Sequence, residues 1–217
     1  MGSSLGVVGW VDLLDPSISD TLAMLRSGPG GDKLVAIRHQ VHDELDADWL
    51  LRPQVQQGLR HIADAGLVYD LLVRTRELAA AVQVTRALPN LRFVLDHLAK
   101  PPFVAGDLAA WATGLRELAR SQNVVAAKLS GLVTEADWQR WTVADLQPAV
   151  DVALQAFGPS RLMFGSDWPV CLVAATYDQV LGSARALTSV LSDADTDRVF
   201  QANAVSAYGL HKGELGR

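Results

Sequence analysis

An α/β fold built on a parallel sheet is predicted by the apolar runs of this 217-residue chain. The runs are short and continuous rather than alternating, which is typical of strands buried on both faces of a parallel sheet. Six such runs start 27, 33, 26, 31 and 38 residues apart, so each interval has room for one helix and two loops. These observations together predict a repeat of βα units.

The predicted strands are distributed over most of the chain, and they are Val7–Val11, Leu34–Ile37, Leu67–Val73, Phe93–Leu95, Val124–Leu129 and Leu162–Phe164. Helices are indicated between them by apolar residues at 3.6-residue spacing from Leu59 to Leu67 and by an Ala-rich segment, Leu78–Leu88, that stops before a proline. Capping boxes, with Asp in place of Glu, are predicted to begin at Thr134 and Ser192.

The number of units indicates which α/β architecture to expect. Eight units of about 31 residues would give roughly 250 residues, the usual size of a (β/α)8 barrel. A barrel would therefore lack two units here, and the first strand begins at residue 7 with no helix before it. This count predicts an incomplete TIM-type barrel without its first two βα units. We predict one domain over residues 1–217, because no linker or change of composition divides the chain.

Composition narrows the function classes. The net charge is −5 and no basic run is present, which argues against a nucleic-acid partner. The longest stretch without Asp, Glu, Lys or Arg is 13 residues, 199–211, and no Lys or Arg precedes Arg26, so neither a membrane span nor a signal peptide is predicted. The expected location is the cytoplasm, and the single cysteine, Cys171, cannot form an internal disulfide.

Candidate functional residues follow the predicted strands, where reactive groups gather in parallel α/β folds. Asp167 and His97 stand out because each lies just after an apolar strand, a position that normally tolerates no ionisable group. A carboxylate at such a position can deprotonate water, and an imidazole or guanidinium group nearby can stabilise an oxyanion. Arg74 and Lys128 also lie at strand ends, where pairing with a carboxylate is an equally good explanation.

Other kinds of site are disfavoured by spacing. His39 and His42 have a separation that a metal pair can use, but they straddle a strand end instead of sharing a helix face. The chain contains neither Gly-x-Ser-x-Gly nor Gly-x-Gly-x-x-Gly, which argues against a serine hydrolase and a Rossmann dehydrogenase.

Six sequence blocks, in order along the chain, resemble the amidohydrolase-related (amidohydrolase 2) family, especially its sugar-lactonase branch of L-fuconolactonase-like enzymes. The blocks are Gly6-Val-Val-Gly-Trp-Val-Asp12, Ala36-Ile-Arg-His39, Tyr69-Asp-Leu-Leu-Val73, Val94-Leu-Asp-His-Leu-Ala-Lys-Pro101, Lys128-Leu-Ser-Gly-Leu-Val-Thr-Glu-Ala-Asp-Trp138 and Met163-Phe-Gly-Ser-Asp-Trp-Pro-Val170. Gly-Ser-Asp-Trp-Pro is moderately specific by itself, and the ordered set is much more so.

The resemblance implies a TIM barrel in which the six strands are strands three to eight. It implies that His97 ends strand six and that Asp167 ends strand eight as the base that activates water. The family's enzymes of this branch hydrolyse a small sugar-derived lactone to its hydroxy acid. The pocket that binds this lactone would then be lined by Arg38, His39 and Trp168.

The chain departs from the family pattern in one respect. Members begin with a His-x-His pair on strand one, and this sequence has no such pair. A metal bound by His97 and Asp167 alone would lack half of a tetrahedral shell, so tight binding of zinc is not expected. Two alternatives stay open: a catalytically silent, truncated paralogue or gene fragment, and a decarboxylase of the same superfamily. We also expect the open edge along Val7–Val11 to leave the isolated chain aggregated, dimerised as a homo-oligomer, or stable only beside its missing N-terminal piece.

Overall fold

A computed structural model describes residues 5–104 and 108–210. Within these residues, six parallel strands form one sheet in sequence order, with the bounds β1 (Val7–Gly9), β2 (Leu34–His39), β3 (Val68–Leu71), β4 (Phe93–Leu95), β5 (Val124–Leu129) and β6 (Leu162–Phe164). Every neighbouring pair is parallel, so the carboxyl ends of all the strands lie at one end of the sheet. The predicted α/β class is confirmed, and the sheet forms a half-barrel.

Helices lie between the strands and after the last strand. They are α1 (Ile18–Ser27), α2 (Pro53–Asp64), α3 (Leu78–Ala87), α4 (Leu108–Ala119), α5 (Leu132–Glu135), α6 (Val143–Phe157), α7 (Tyr177–Leu187), α8 (Asp193–Asp197) and α9 (Asn203–Tyr208), and a π-helical turn joins the last two. Among the helices of the described ranges, none is long and apolar enough to cross a membrane.

Of the two predicted capping boxes, the one at Thr134 is wrong, and Ser192 forms the N-cap hydrogen bond of the other. Ser192 caps α8, and its hydroxyl accepts a hydrogen bond from the N–H of Asp195 at 3.2 Å. Thr134 instead lies within α5, where its hydroxyl donates to the carbonyl of Gly131 at 2.8 Å. The capping box in this region joins Thr142 and Asp145 at the start of α6.

The two faces of the sheet differ in what they bury. The outer face packs on the helices in a large apolar core, which includes Ile37, Tyr69, Phe93 and Leu129. The concave face carries a small apolar layer that is made of Ala36, Val68, Val94, Ala126 and Met163, with Ala207 of α9 packed against it. The apolar layer therefore forms the part of the concave face nearer the amino ends of the strands, which we call the lower part.

Helix α9 covers the amino ends of the strands. The side chain of Asn203 donates to the carbonyls of Pro159 and Leu162, at 2.7 and 2.6 Å, beside the start of β6. Arg92, just before β4, donates to the carbonyls of Ser206 and Ala207. Helix α9 is therefore held at the amino end of the concave face, and the opposite end, where the strands end, is the mouth of the half-barrel.

Candidate active site

His97 and Asp167 lie side by side at the carboxyl ends of β4 and β6. The His97 Nε2 atom is 3.5 Å from the Asp167 Oδ1 atom, and the two side chains are 12% and 13% exposed. The Ser130 hydroxyl, after β5, is 2.8 Å from His97 Nδ1 and fixes the imidazole ring. Residues from three neighbouring strand ends therefore meet at one point of the mouth.

Burial shifts the pKa of both members of this pair toward the uncharged form. It lowers the pKa of His97, and the opposing charges of Asp96 and Asp167 do not fully compensate. It raises the pKa of Asp167, and the nearby charges of His97 and Lys100 only partly reverse that effect. The pair therefore combines an imidazole of lowered pKa with a carboxyl group of raised pKa, a combination that suits general acid–base chemistry.

A network of charged side chains lies below this pair, between the apolar layer and the mouth. The Lys128 Nζ atom is 2.6 Å from an oxygen of Asp70 and 2.5 Å from an oxygen of Asp96. Arg38 donates to the other oxygen of Asp96 at 3.0 Å, and the Tyr208 hydroxyl lies 2.9 Å from Asp70. Both carboxylates are fully buried, and each of them has a cation in contact with it.

Electrostatics within the network favour the charged forms unequally. Burial tends to lower the pKa of Lys128, but Asp96 and Asp70 outweigh it and the pKa is raised. Burial would raise the pKa of Asp96, but Lys128, His97 and Arg38 hold it below the usual range. For Asp70 burial prevails over Lys128, and its pKa is raised to about 6. Neither Asp70 nor Tyr208 was among the predicted site residues, although Asp70 is an isolated acid within an apolar run.

The three residues predicted to bind substrate occupy different environments. Arg38 is anchored by Asp96 while 43% of its side chain stays exposed. Both ring nitrogens of His39 already have partners: Nδ1 accepts from Trp10 at 3.3 Å and Nε2 lies 2.7 Å from Glu44. Trp168 follows Asp167 and is 63% exposed. Their role in substrate binding stays a prediction, with Arg38 and Trp168 the more accessible.

The donor set does not fit a closed zinc shell. Among the residues that the structure describes, no group of three or more His, Cys, Asp or Glu side chains is arranged to hold a metal ion. His97 and Asp167 supply two donors, and a tetrahedral zinc site needs four ligands. We therefore derive no chemical step through a metal.

Comparison with known proteins identifies the family. Residues 3–210 match the amidohydrolase family, described as "Amidohydrolase". The chain is a member of the amidohydrolase family. It is 42% identical over 216 residues to L-fucono-1,5-lactonase of Burkholderia multivorans, covering 94% of this amidohydrolase and 71% of that protein.

Solved structures agree with this assignment. A zinc-bound amidohydrolase from Burkholderia multivorans superposes with a TM-score of 0.88 at 38% identity, covering 95% of this amidohydrolase and 74% of that chain. The 5-carboxyvanillate decarboxylase of Sphingomonas paucimobilis gives a TM-score of 0.63 at 15% identity, covering 95% and 67% of the two chains. The second likeness supports the fold alone, and the incomplete TIM-type barrel predicted from the sequence is confirmed.

Proposed function

We propose that this amidohydrolase hydrolyses the ester bond of a sugar-derived lactone, with Asp167 as the base that activates water. The observation that carries the proposal is the contact of Asp167 with His97 at the mouth, where each pKa is shifted toward the neutral form. The relatives named for lactone hydrolysis supply the substrate class, and L-fucono-1,5-lactone is the first candidate.

The attack step begins with a water molecule beside Asp167. The carboxylate takes one proton from the water, whose oxygen forms a bond to the lactone carbonyl carbon, and the π electron pair of the carbonyl moves onto its oxygen. A neutral His97 can donate a hydrogen bond to that oxygen through a ring N–H, and Arg38 can add a positive charge. A general base of this kind contributes roughly 100- to 10,000-fold in rate.

Ring opening follows from the tetrahedral intermediate. The carbonyl double bond re-forms, the bond from the carbonyl carbon to the ring oxygen breaks, and Asp167 returns its proton to the ring oxygen. The products are one alcohol and one carboxylic acid, so one water molecule has been added and Asp167 is again a carboxylate. His97 and Asp167 lie close enough to act on the same carbonyl group.

The test is the release of acid from L-fucono-1,5-lactone, followed with a pH indicator against the spontaneous rate in buffer. We expect a rate that is proportional to the concentration of the chain and is abolished by heat denaturation. A rate equal to that of buffer alone would contradict the proposal and favour a catalytically silent chain. Release of carbon dioxide from 5-carboxyvanillate without lactone hydrolysis would favour the decarboxylase alternative.

A further inference from the structure

An exposed tryptophan follows the edge strand β1 at the carboxyl end of the sheet. Trp10 is 62% exposed, although tryptophan side chains are on average highly buried. Strand β1 ends at Gly9, which pairs with Ile37 of β2. The next position in this register places Trp10 beside Arg38, whose guanidinium group bonds to Asp96 after β4. Trp10 therefore lies at the end of the sheet that carries the candidate active site.

His39 holds the indole ring of Trp10 by a hydrogen bond. The indole N–H donates to the Nδ1 atom of His39 at 3.3 Å. Because an indole N–H can only donate, this nitrogen carries no proton, and the ring proton of the neutral imidazole is on Nε2. The Nε2 atom lies 2.7 Å from the carboxylate of Glu44 and donates to it. The two bonds therefore fix one tautomer and one orientation of the imidazole.

A buried aromatic ring supports the same imidazole from its face. His39 stacks on Trp49 with 4.5 Å between the ring centroids and 11° between the ring planes, and Trp49 is buried. The His39 side chain is only 18% exposed, and both of its ring nitrogens have partners. Of the two rings that share the hydrogen bond, only the indole of Trp10 offers a large surface to another molecule.

A fixed indole is well suited to bind a ligand. A tryptophan side chain has only two χ angles, and the bond to His39 restricts both of them. Ordering such a side chain therefore costs less conformational entropy when a ligand binds. The bond occupies the N–H edge of the indole, while most of the side chain stays exposed. Trp10 thus presents an apolar surface in a defined position.

A six-membered sugar ring has the chemistry that this surface recognises. Such a ring carries hydroxyl groups around its rim and C–H groups on its faces, so one face packs on an aromatic ring while the rim keeps its hydrogen bonds. Adjacent strands lie about 4.8 Å apart, so Trp10 and the guanidinium group of Arg38 can contact the same small molecule. Aromatic surface combined with a few polar groups is typical of small-molecule sites.

We propose that Trp10 stacks on the sugar ring of the lactone and determines the affinity for it, and that His39 is a positioning residue that acts through Trp10. This inference rests on the proposed function. It replaces direct contact of His39 with the substrate by support of the residue that makes the contact. Stacking on the ring face stabilises the bound substrate and the transition state equally, so it lowers KM and leaves kcat unchanged.

The first experiment measures KM and kcat for L-fucono-1,5-lactone in Trp10→Leu, which removes the aromatic face, and in Trp10→Phe, which keeps one. We expect KM to rise about tenfold in Trp10→Leu and less than about threefold in Trp10→Phe, with kcat within about a factor of two in both. Trp138→Leu is the matched control, because Trp138 is 55% exposed and its indole N–H also has an acceptor, the carbonyl of Thr134. Its KM should equal that of the parent.

The role of His39 is tested by His39→Ala and His39→Asn, because the side-chain oxygen of Asn can accept the indole hydrogen bond in place of Nδ1. We expect KM to rise in His39→Ala and to return toward the parent value in His39→Asn, with kcat unchanged. If His39 acts through Trp10, adding His39→Ala to Trp10→Leu raises KM no further. An independent further rise, or no rise in His39→Ala alone, would overturn the positioning role.

Binding of L-fucose separates this inference from the proposed function. L-fucose has the same six-membered ring with a hydroxyl-bearing carbon in place of the lactone carbonyl, so it cannot be hydrolysed as an ester. Calorimetry should give an affinity about tenfold weaker for Trp10→Leu than for the parent. Melting temperatures check that each variant folds.

Unchanged KM and unchanged affinity for L-fucose in Trp10→Leu would overturn the role of Trp10, and a loss of dimers in light scattering would then assign this side chain to a contact between copies. Equal losses in Trp10→Leu and Trp10→Phe would also overturn it. If the parent binds L-fucose through Trp10 without hydrolysing the lactone, only the proposed function fails. If it hydrolyses the lactone without binding L-fucose, KM decides on Trp10. If it does neither, both proposals are overturned.

Discussion

Two groups of ionisable side chains occupy the concave face, and they differ in how completely their charges are paired. In the lower group Lys128 bridges Asp70 and Asp96 at hydrogen-bonding distances of 2.6 and 2.5 Å. In the upper group the nearest nitrogen and oxygen of His97 and Asp167 are 3.5 Å apart. The lower group consists of contacts that are already made, whereas the upper group leaves donor and acceptor capacity for another molecule.

Two aspartates illustrate the difference. Burial is the largest influence on the pKa of both Asp96 and Asp167, and it raises both values. Lys128 and the other cations around Asp96 outweigh burial and lower its pKa, whereas the charges near Asp167 do not. The same residue type therefore has a lowered pKa in one position and a raised pKa in the other. We infer that the lower group maintains the structure and that the upper group performs the chemistry.

The largest effect is expected for Lys128→Met, which leaves Asp70 and Asp96 buried without their shared cation. Removing one partner of a buried ion pair typically lowers the free energy of unfolding by about 3–5 kcal/mol. Urea unfolding of this variant measures the loss of unfolding free energy. Lys33→Gln, which removes a lysine charge just before β2, is the control, and its unfolding free energy should change by less than about 0.5 kcal/mol. A loss below about 1 kcal/mol for Lys128→Met would show that the lower group is not structural.

A smaller effect is expected for Trp111→Phe, which keeps an aromatic ring but removes the hydrogen bond to the carbonyl of Leu98. Leaving that buried acceptor without its donor should cost about 1–3 kcal/mol of unfolding free energy. Trp138→Phe is the matched control, because its indole N–H also donates to a backbone carbonyl, that of Thr134, but the side chain is 55% exposed. Equal losses in the two variants, measured by urea unfolding, would mean that the left-handed backbone from His97 to Lys100 does not depend on Trp111.

The pH dependence of activity should report on the upper group. Burial raises the pKa of Asp167 above 3.8, in spite of His97 and Lys100, and a base acts only when it is ionised. We therefore expect kcat/KM to fall as the pH decreases through an ionisation that lies above pH 3.8. A profile for L-fucono-1,5-lactone that stays flat to below this value would assign the base to another group.

The strands were predictable from sequence to the extent that they are buried on both faces. Three predicted strands have the predicted bounds, namely Phe93–Leu95, Val124–Leu129 and Leu162–Phe164. The first strand ends at Gly9 instead of Val11. The second continues through Arg38 and His39, because they pair with Asp70 and Leu71 of β3 in spite of their polarity.

The site was predictable only where parallel topology brings distant residues together. His97 and Asp167 both follow strands, so their proximity could be inferred from the convergence of carboxyl ends in a parallel sheet. The positive φ angles from His97 to Lys100 could not be predicted from the sequence, because Leu98 and Ala99 are not residues that favour such angles. The contact of Tyr208 with Asp70 joins residues 138 apart and depends on where α9 crosses the sheet.

The central claim is that Asp167 is the base for lactone hydrolysis, and the most direct test is kcat for L-fucono-1,5-lactone in Asp167→Asn. This substitution keeps the shape of the side chain and removes its ability to accept a proton. Asp32→Asn, which makes the same change in the exposed turn before β2, is the matched control. We predict a loss of about 100-fold or more for Asp167→Asn and none for the control, with both variants folded. Turnover within a factor of about two of the parent in Asp167→Asn would contradict the account.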